Sequence, residues 1–527
     1  MMNFNGENFS NVWVADLEDG TFINPIIYAD YSDPDVIRVG EDFFLTASSF
    51  NSSPGLPLLH SKDLVNWTIV NNIIDSLPFE VYDKPQYGKG VWAPSLRYHD
   101  NKFWVFFSTP DEGIFMTSTT DPFGKWEELK LIKEVKGWID PCPFWDEDGK
   151  AYLVNAFAGS RTGFNSILNI SQMKPDGTAL LDEGTYVFHG NKNGHHTIEG
   201  PKLYKKNGYY YIFSPAGGVV SGWQTILRSK NILGPYEDKI VLHQGNTVIN
   251  GPHQGGMVEL EKGEAWFLHF QDRAEYGRIL HLQPVKWVED WPLMGEDING
   301  DGIGEPGRHW TKPNVGKNYP ARVPQTSDHF KAEELGLQWQ WNANYKTSWY
   351  SLKARPGYLR LYAAKDLLKG GKTLWHAPNL LLQKFPAPSF TASTKLEFNP
   401  SAEGEKAGLV INGDQCFSLA FYKAENEMKL GYFKAYEAEG VRVEEEIQGC
   451  KVAAQTVILR VTVKPEALCH FSYSLDGQTF TDIGNTFKSY KTLWTGSKVG
   501  LFAVNLKGET SKAYADFEGF TIEEIKK

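Results

Sequence analysis

At 527 residues, with 41% hydrophobic and 22% charged side chains, the chain is longer than one hydrophobic core serves and has no disorder signature. A formal charge of -11 excludes a phosphate-backbone ligand, which needs a basic surface, so no nucleic-acid partner is expected. No run of about 20 apolar residues is present to span a bilayer, and the start MMNFNGENFS lacks a charged-then-apolar signal pattern, which leaves a bacterial cytoplasm or periplasm as the expected location.

Aromatic residues are in excess: 17 Trp, 24 Tyr and 32 Phe exceed the needs of a core, and their flat faces suit sugar rings. Cys142, Cys416, Cys450 and Cys469 lack CxxC spacing and read as free and buried.

Along the chain, a unit recurs five times: a proline, an apolar run, a Gly-centred or acidic turn, then an aromatic or aliphatic run. The copies are DPDVIRVGEDFFL from Asp33, WAPSLRYHDNKFWVFFS from Trp92, DPCPFWDEDGKAYLVNAF from Asp140, EGPKLYKKNGYYYIFS from Glu199 and GPHQGGMVELEKGEAWFLHF from Gly251. Their prolines, Pro34, Pro94, Pro141, Pro201 and Pro252, are spaced 60, 47, 60 and 51 residues apart, the period of a four-stranded propeller blade. Residues 1–295 are thus expected to form a five-bladed β-propeller. Five Gly and four Pro within 296–325 mark a linker. From 326 to 527, closely spaced alternating runs such as YLRLYA, TKLEFNP and TVILRVTVK predict an all-β, concanavalin A-like sandwich.

Asp33 and Asp140 directly precede their prolines, Glu199 stands two before its own, and His253 follows its own. The inner strands of a propeller start around one channel, so these residues are expected to converge at its mouth. A single Asp-Pro is an ordinary turn signal, but three carboxylates in register across the repeats point to chemistry. Mutual repulsion and enclosure keep one of them protonated near neutral pH, giving the acid and the base that glycosidic cleavage needs.

The segments NPIIYADYSDPDVIRVGEDFFLTASSF, VWAPSLRY, GWIDPCPFWDEDGKAYLVNAF and IEGPKLYKKNGYYYIFSPAGG closely resemble family 43 glycoside hydrolases, and the likeness continues through GRILHLQPVKW into a C-terminal region similar to that family's lectin-like module. The resemblance implies one-step inversion, with Asp33 as general base, Glu199 as general acid and Asp140 raising the acid's pKa and positioning it. It further implies Phe50 and Trp92 as pocket aromatics, Arg278 as a donor to sugar hydroxyls, and His253 as the channel histidine that holds either a Ca²⁺ through waters or a water network. No other cofactor is expected.

The implied activity is exo-acting release of α-L-arabinofuranose, β-D-xylose or both from hemicellulose-derived oligosaccharides or side chains, with the second domain closing the pocket on one side. The alternatives are an endo-arabinanase-like hydrolase, a fructan-cleaving enzyme, disfavoured by Ser32 before Asp33 and Ile139 before Asp140, and a non-catalytic carbohydrate-binding propeller. His195 and His196 read as loop histidines, since strand neighbours face opposite ways. DINGDGIGEPGR from Asp297 imitates a calcium loop but carries Arg308 at the twelfth position, where a Glu is required, and reads as a turn. Nothing in the sequence sets the oligomeric state.

Overall fold

The proline-anchored units fold into five four-stranded antiparallel sheets, each built from strands consecutive in sequence. The computed structural model describes residues 12–363, 373–398, 400–425, 427–507 and 511–525. The first blade comprises Asp35–Val39, Asp42–Thr46, Gly55–Ser61 and Thr68–Ile74, and the inner strands of the others are Trp92–His99, Trp138–Trp145, Lys202–Lys206 and His253–Glu259. Local sequence sets the hairpins. Asp100 and Asn101, and likewise Asn207 and Gly208, take positive φ between paired strands, which matches the right-handed twist of the strands they join.

The ring closes between the fifth and first blades without a shared strand. At Gly256 a Cβ would stand 2.8 Å from the Val36 nitrogen, so only glycine allows this approach. The N-terminal segment reinforces the seam: Ile26 N–H donates to the Leu280 carbonyl at 2.8 Å and Leu280 N–H to that of Ile27 at 3.0 Å.

The Gly/Pro-rich stretch 296–325 is anchored rather than free. His309–Thr311 pairs with Thr21–Ile23, and isolated bridges join Glu296 to Glu305 and Leu242 to Gly304. Lys312 binds Asp16 at 2.6 Å and Asp63 at 3.0 Å. The stretch is irregular, as its composition demands, yet it straps the propeller. In the calcium-like loop, Asp297 accepts the N–H groups of Gly300 and Gly302, which makes it a turn.

Two seven-stranded antiparallel sheets follow as a sandwich. In Phe390–Phe398 the residues Phe390, Ala392, Thr394, Leu396 and Phe398 are buried and alternate with half-buried or exposed ones. A one-residue slip would expose the whole set, and each large apolar side chain buried contributes about 1.5–3 kcal/mol. All four cysteines are free; Cys142, Cys416 and Cys469 are buried and Cys450 is half-buried. No helix among the described residues is long and apolar enough to cross a membrane.

Candidate active site

All five blades begin with a left-handed residue directly before the proline: Asp33 (φ 52°), Ala93 (31°), Asp140 (58°), Gly200 (57°) and Gly251 (50°). For a side-chain-bearing residue this conformation costs on the order of 1–3 kcal/mol, and Asp enters it more readily than most. Bulges at Trp92/Ser95 and Ile139/Cys142 accompany the step and re-aim side chains out of the ladder. In the fourth blade glycine fills the left-handed position and the carboxylate comes one residue earlier, from Glu199. Asp33, Asp140 and Glu199 thereby line one cavity of about 290 Å³ together with Phe50, Trp92 and Arg278.

The three carboxylates have different surroundings. Asp33 is ion-paired with the Arg278 guanidinium and accepts a hydrogen bond from Ser48 Oγ at 2.7 Å. Ser48 Oγ in turn accepts from Ala93 N–H at 2.8 Å, tying the first blade to the second. Asp140 accepts from Gly200 N–H at 2.8 Å, and burial, then the charge of Asp33, raise its pKa. Glu199 is pushed up to about 8 by desolvation and then by Asp140 and Asp33, against the lowering influence of Arg278. The arrangement keeps a proton on the Asp140–Glu199 side and a cation on Asp33.

Below this layer the inner strands are cross-linked. Asp35 binds Arg97 at 2.6 Å, and Lys202 donates to the Pro94 carbonyl at 2.8 Å and to Ser95 Oγ at 2.7 Å. These buried charges join the first, second and fourth blades at the axis, giving the strained loop ends a rigid base.

Phe50 and Trp92, the two expected aromatics, both line the cavity. Phe50 is buried with positive φ and pairs with Val91 by two backbone hydrogen bonds of 3.0 Å. Trp92 donates its Nε1–H to the Gly88 carbonyl and carries Arg161 over its face, 5.3 Å from the ring centroid. Arg278, expected as a sugar donor, is buried against Asp33, with its Nε unpartnered.

His253 does not line the cavity. It is buried edge-on to Phe270, its Nδ1 has no partner, and burial followed by the charge of Arg278 lowers its pKa to about 3. His195 is buried and bonded to Asp238, Trp223 and Thr225, which makes it a packing residue, and His196 is exposed.

Trp494 of the sandwich was not singled out by the repeat argument, yet it forms part of the cavity wall. It lies between the strands Thr481–Lys488 and Lys498–Asn505 and is 36% exposed. An exposed tryptophan in KTLWTG is the only local signal. The second domain therefore closes one side of the pocket.

The profile of glycosyl hydrolases family 43 matches residues 22–292, and that of the β-xylosidase C-terminal concanavalin A-like domain matches residues 327–523. A β-xylosidase of Formosa agariphila is 34% identical over 555 residues, covering 96% of this chain and 91% of the relative. A non-reducing end α-L-arabinofuranosidase of Bacteroides ovatus is 32% identical, covering 76% of each chain. The crystal structure of a xylan β-1,4-xylosidase from Bacillus halodurans C-125 superposes with a TM-score of 0.84 at 26% identity, over 95% of this chain and 100% of that one. Both domains, the order of the strained blade starts and the carboxylate pocket thus agree with a single assignment: the chain belongs to glycosyl hydrolases family 43 and is an exo-acting glycoside hydrolase.

Proposed function

We propose that the pocket releases one terminal pentose at a time, α-L-arabinofuranose, β-D-xylose or both, from hemicellulose-derived oligosaccharides or side chains, by single-step inversion. One observation carries this reading: three carboxylates meet in a cavity whose wall includes Trp494 of the second domain. A walled pocket admits a chain end and obstructs a polymer passing through. The names of the β-xylosidase and arabinofuranosidase relatives support a pentose.

In the proposed step, Asp33 takes a proton from a water whose oxygen attacks the anomeric carbon. The bond to the leaving oxygen breaks as Glu199 delivers its proton there. Arg278 and Ser48 orient Asp33 and hold it for this role. Asp140 acts twice on the acid: its charge raises the pKa of Glu199, and its bond to Gly200 N–H fixes the backbone beside it.

A resident Ca²⁺ at His253 fits poorly. Calcium takes six to eight oxygen ligands, and no group of three or more His, Cys, Asp or Glu among the described residues is placed to hold a metal. The unpartnered, neutral imidazole suits a hydrogen-bonded water, and no step is assigned to a metal.

The test is hydrolysis of paired 4-nitrophenyl α-L-arabinofuranoside and β-D-xylopyranoside, with Asp33→Asn, which cannot activate water, as control. Turnover of at least one, lost in the variant, is expected; absence of turnover on both overturns the reading.

A further inference from the structure

Asp30 lies three residues before Asp33, buried where the domains meet. Its Oδ1 accepts the backbone N–H of Arg278 at 2.9 Å, and its Oδ2 accepts the backbone N–H of Gly496, from the sandwich, also at 2.9 Å. One carboxylate thus joins the residue paired with Asp33 to the loop that carries Trp494. The three segments touch as closely as backbone allows. A Cβ on Gly277 would stand 2.3 Å from Asp30 Cγ, and one on Gly496 would stand 2.5 Å from the Gly277 nitrogen.

Neighbouring bonds lock the same junction. Ser497 N–H donates to the Glu275 carbonyl at 2.7 Å, and Lys491 pairs with Asp272 at 3.2 Å. Tyr276 enters the sandwich core, where its hydroxyl donates to the Pro388 carbonyl and accepts from Ala467 N–H. On the other flank, Lys498 donates to Ser52 Oγ at 2.6 Å, and Asn51 donates to the Asn342 carbonyl at 2.8 Å, so the loop bearing Phe50 is held by the sandwich as well. Asp30 is the buried carboxyl group beside Lys498 and half-buried Lys384.

We propose that Asp30 is a positioning residue: its carboxylate sets Arg278 and the Trp494 loop as one unit, so that pocket closure and the orientation of the Asp33 partner are fixed together. The proposal rests on the pentosidase reading of the pocket. Removing the Asp30 carboxylate deletes one hydrogen bond to the Arg278 backbone and one to the Trp494 loop at once, with no side chain in the cavity changed.

The experiment compares full-length wild type with Asp30→Ala, Asp30→Asn and, as a stability control, Asp516→Asn, which weakens a buried pair with Arg360 inside the sandwich. The readouts are kcat, KM and the pH profile on a disaccharide ending in the preferred pentose, whose leaving group needs the acid's proton, and thermal melting. Glu199 is faced by Asp140, Asp33 and Arg278, and Arg278 is the one that lowers its pKa. A loosened Arg278 therefore moves the basic limb of kcat/KM to higher pH. Asp30→Ala is expected to lower kcat/KM at least tenfold, with KM raised, and to shift that limb; Asp30→Asn, which keeps the volume and one acceptor, shifts it the same way and serves if the alanine variant does not fold. Asp516→Asn is expected to lower the melting temperature with the limb in place. Asp30 variants that match the Asp516→Asn pattern, or keep wild-type kcat/KM and limb, overturn the proposal. If the wild type turns over neither pentoside, the functional reading fails by itself. Crystal structures of wild type and Asp30→Asn then decide the present proposal: an unmoved Arg278 and Trp494 would end it.

Discussion

Trp494 of the sandwich meets Trp92 of the second blade edge to face, with ring centroids 6.2 Å apart and planes at 76°. Two domains therefore share one pocket wall, and Arg278 lies beneath it, 5.8 Å from the Trp494 ring centroid. Truncating Trp494 opens the wall without touching a carboxylate. Trp494→Ala is expected to raise KM and to lower kcat/KM roughly 10- to 100-fold, the scale of a lost pocket contact of about 1–3 kcal/mol. Kinetics on a chromogenic pentoside and chromatography of products from xylan and arabinan measure it. Unchanged kcat/KM would remove the sandwich from the site.

The acid and the base are separable by leaving group. A nitrophenolate departs without a proton, whereas a sugar alkoxide needs one, so Glu199→Gln should suffer far more on a disaccharide than on the chromogenic substrate. Loss of a general acid is worth roughly 10²- to 10⁴-fold. Asp33→Asn should lose activity on both substrates alike, since water must be activated either way. Equal losses for Glu199→Gln on the two substrates would contradict its role as acid.

How much of this was legible in the sequence follows from the reach of each signal. The five prolines report a local constraint repeated at fixed spacing, so blade number and the convergence of Asp33, Asp140 and Glu199 could be read directly. The left-handed step at Asp33 and Asp140 could not: its signature, a non-glycine before proline, also describes ordinary turns. Ser48, Asp30 and Trp494 act through contacts between segments 15 to 466 residues apart, such as Ser48 with Asp33 and Gly496 with Asp30. No local pattern encodes such pairs. The strap at 296–325 was read as a linker because Gly and Pro report irregular backbone, not whether that backbone is anchored.

The environment of His253 sets an expectation for metals. With a neutral ring and, among the described residues, no group of carboxylates placed to hold a metal, chelator and added Ca²⁺ should each leave kcat and the melting temperature unchanged. A rise in melting temperature on adding Ca²⁺ to chelated protein would instead show that the channel holds the ion through waters.

Activity and stability should respond to pH through the same pair of carboxylates. Asp140 and Glu199 both have folded-state pKa values above their unfolded ones, so the stability they contribute is present below the unfolded values near 4 and is lost as pH rises through the folded ones. The same deprotonation removes the proton that Glu199 is proposed to deliver, so kcat/KM should fall on the basic side through a limb well above the ordinary carboxylate range. Asp140→Asn deletes the charge that, after burial, contributes most to raising Glu199, so the limb should move to lower pH even as activity falls. Glu199→Gln cannot ionise and escapes the penalty: its melting temperature should exceed that of wild type at pH 9 and lie close to it at pH 5. Melting curves at the two pH values check the sign. A variant less stable than wild type at pH 9 would mean that Glu199 is not held protonated by its surroundings, and the pocket would then lack its acid.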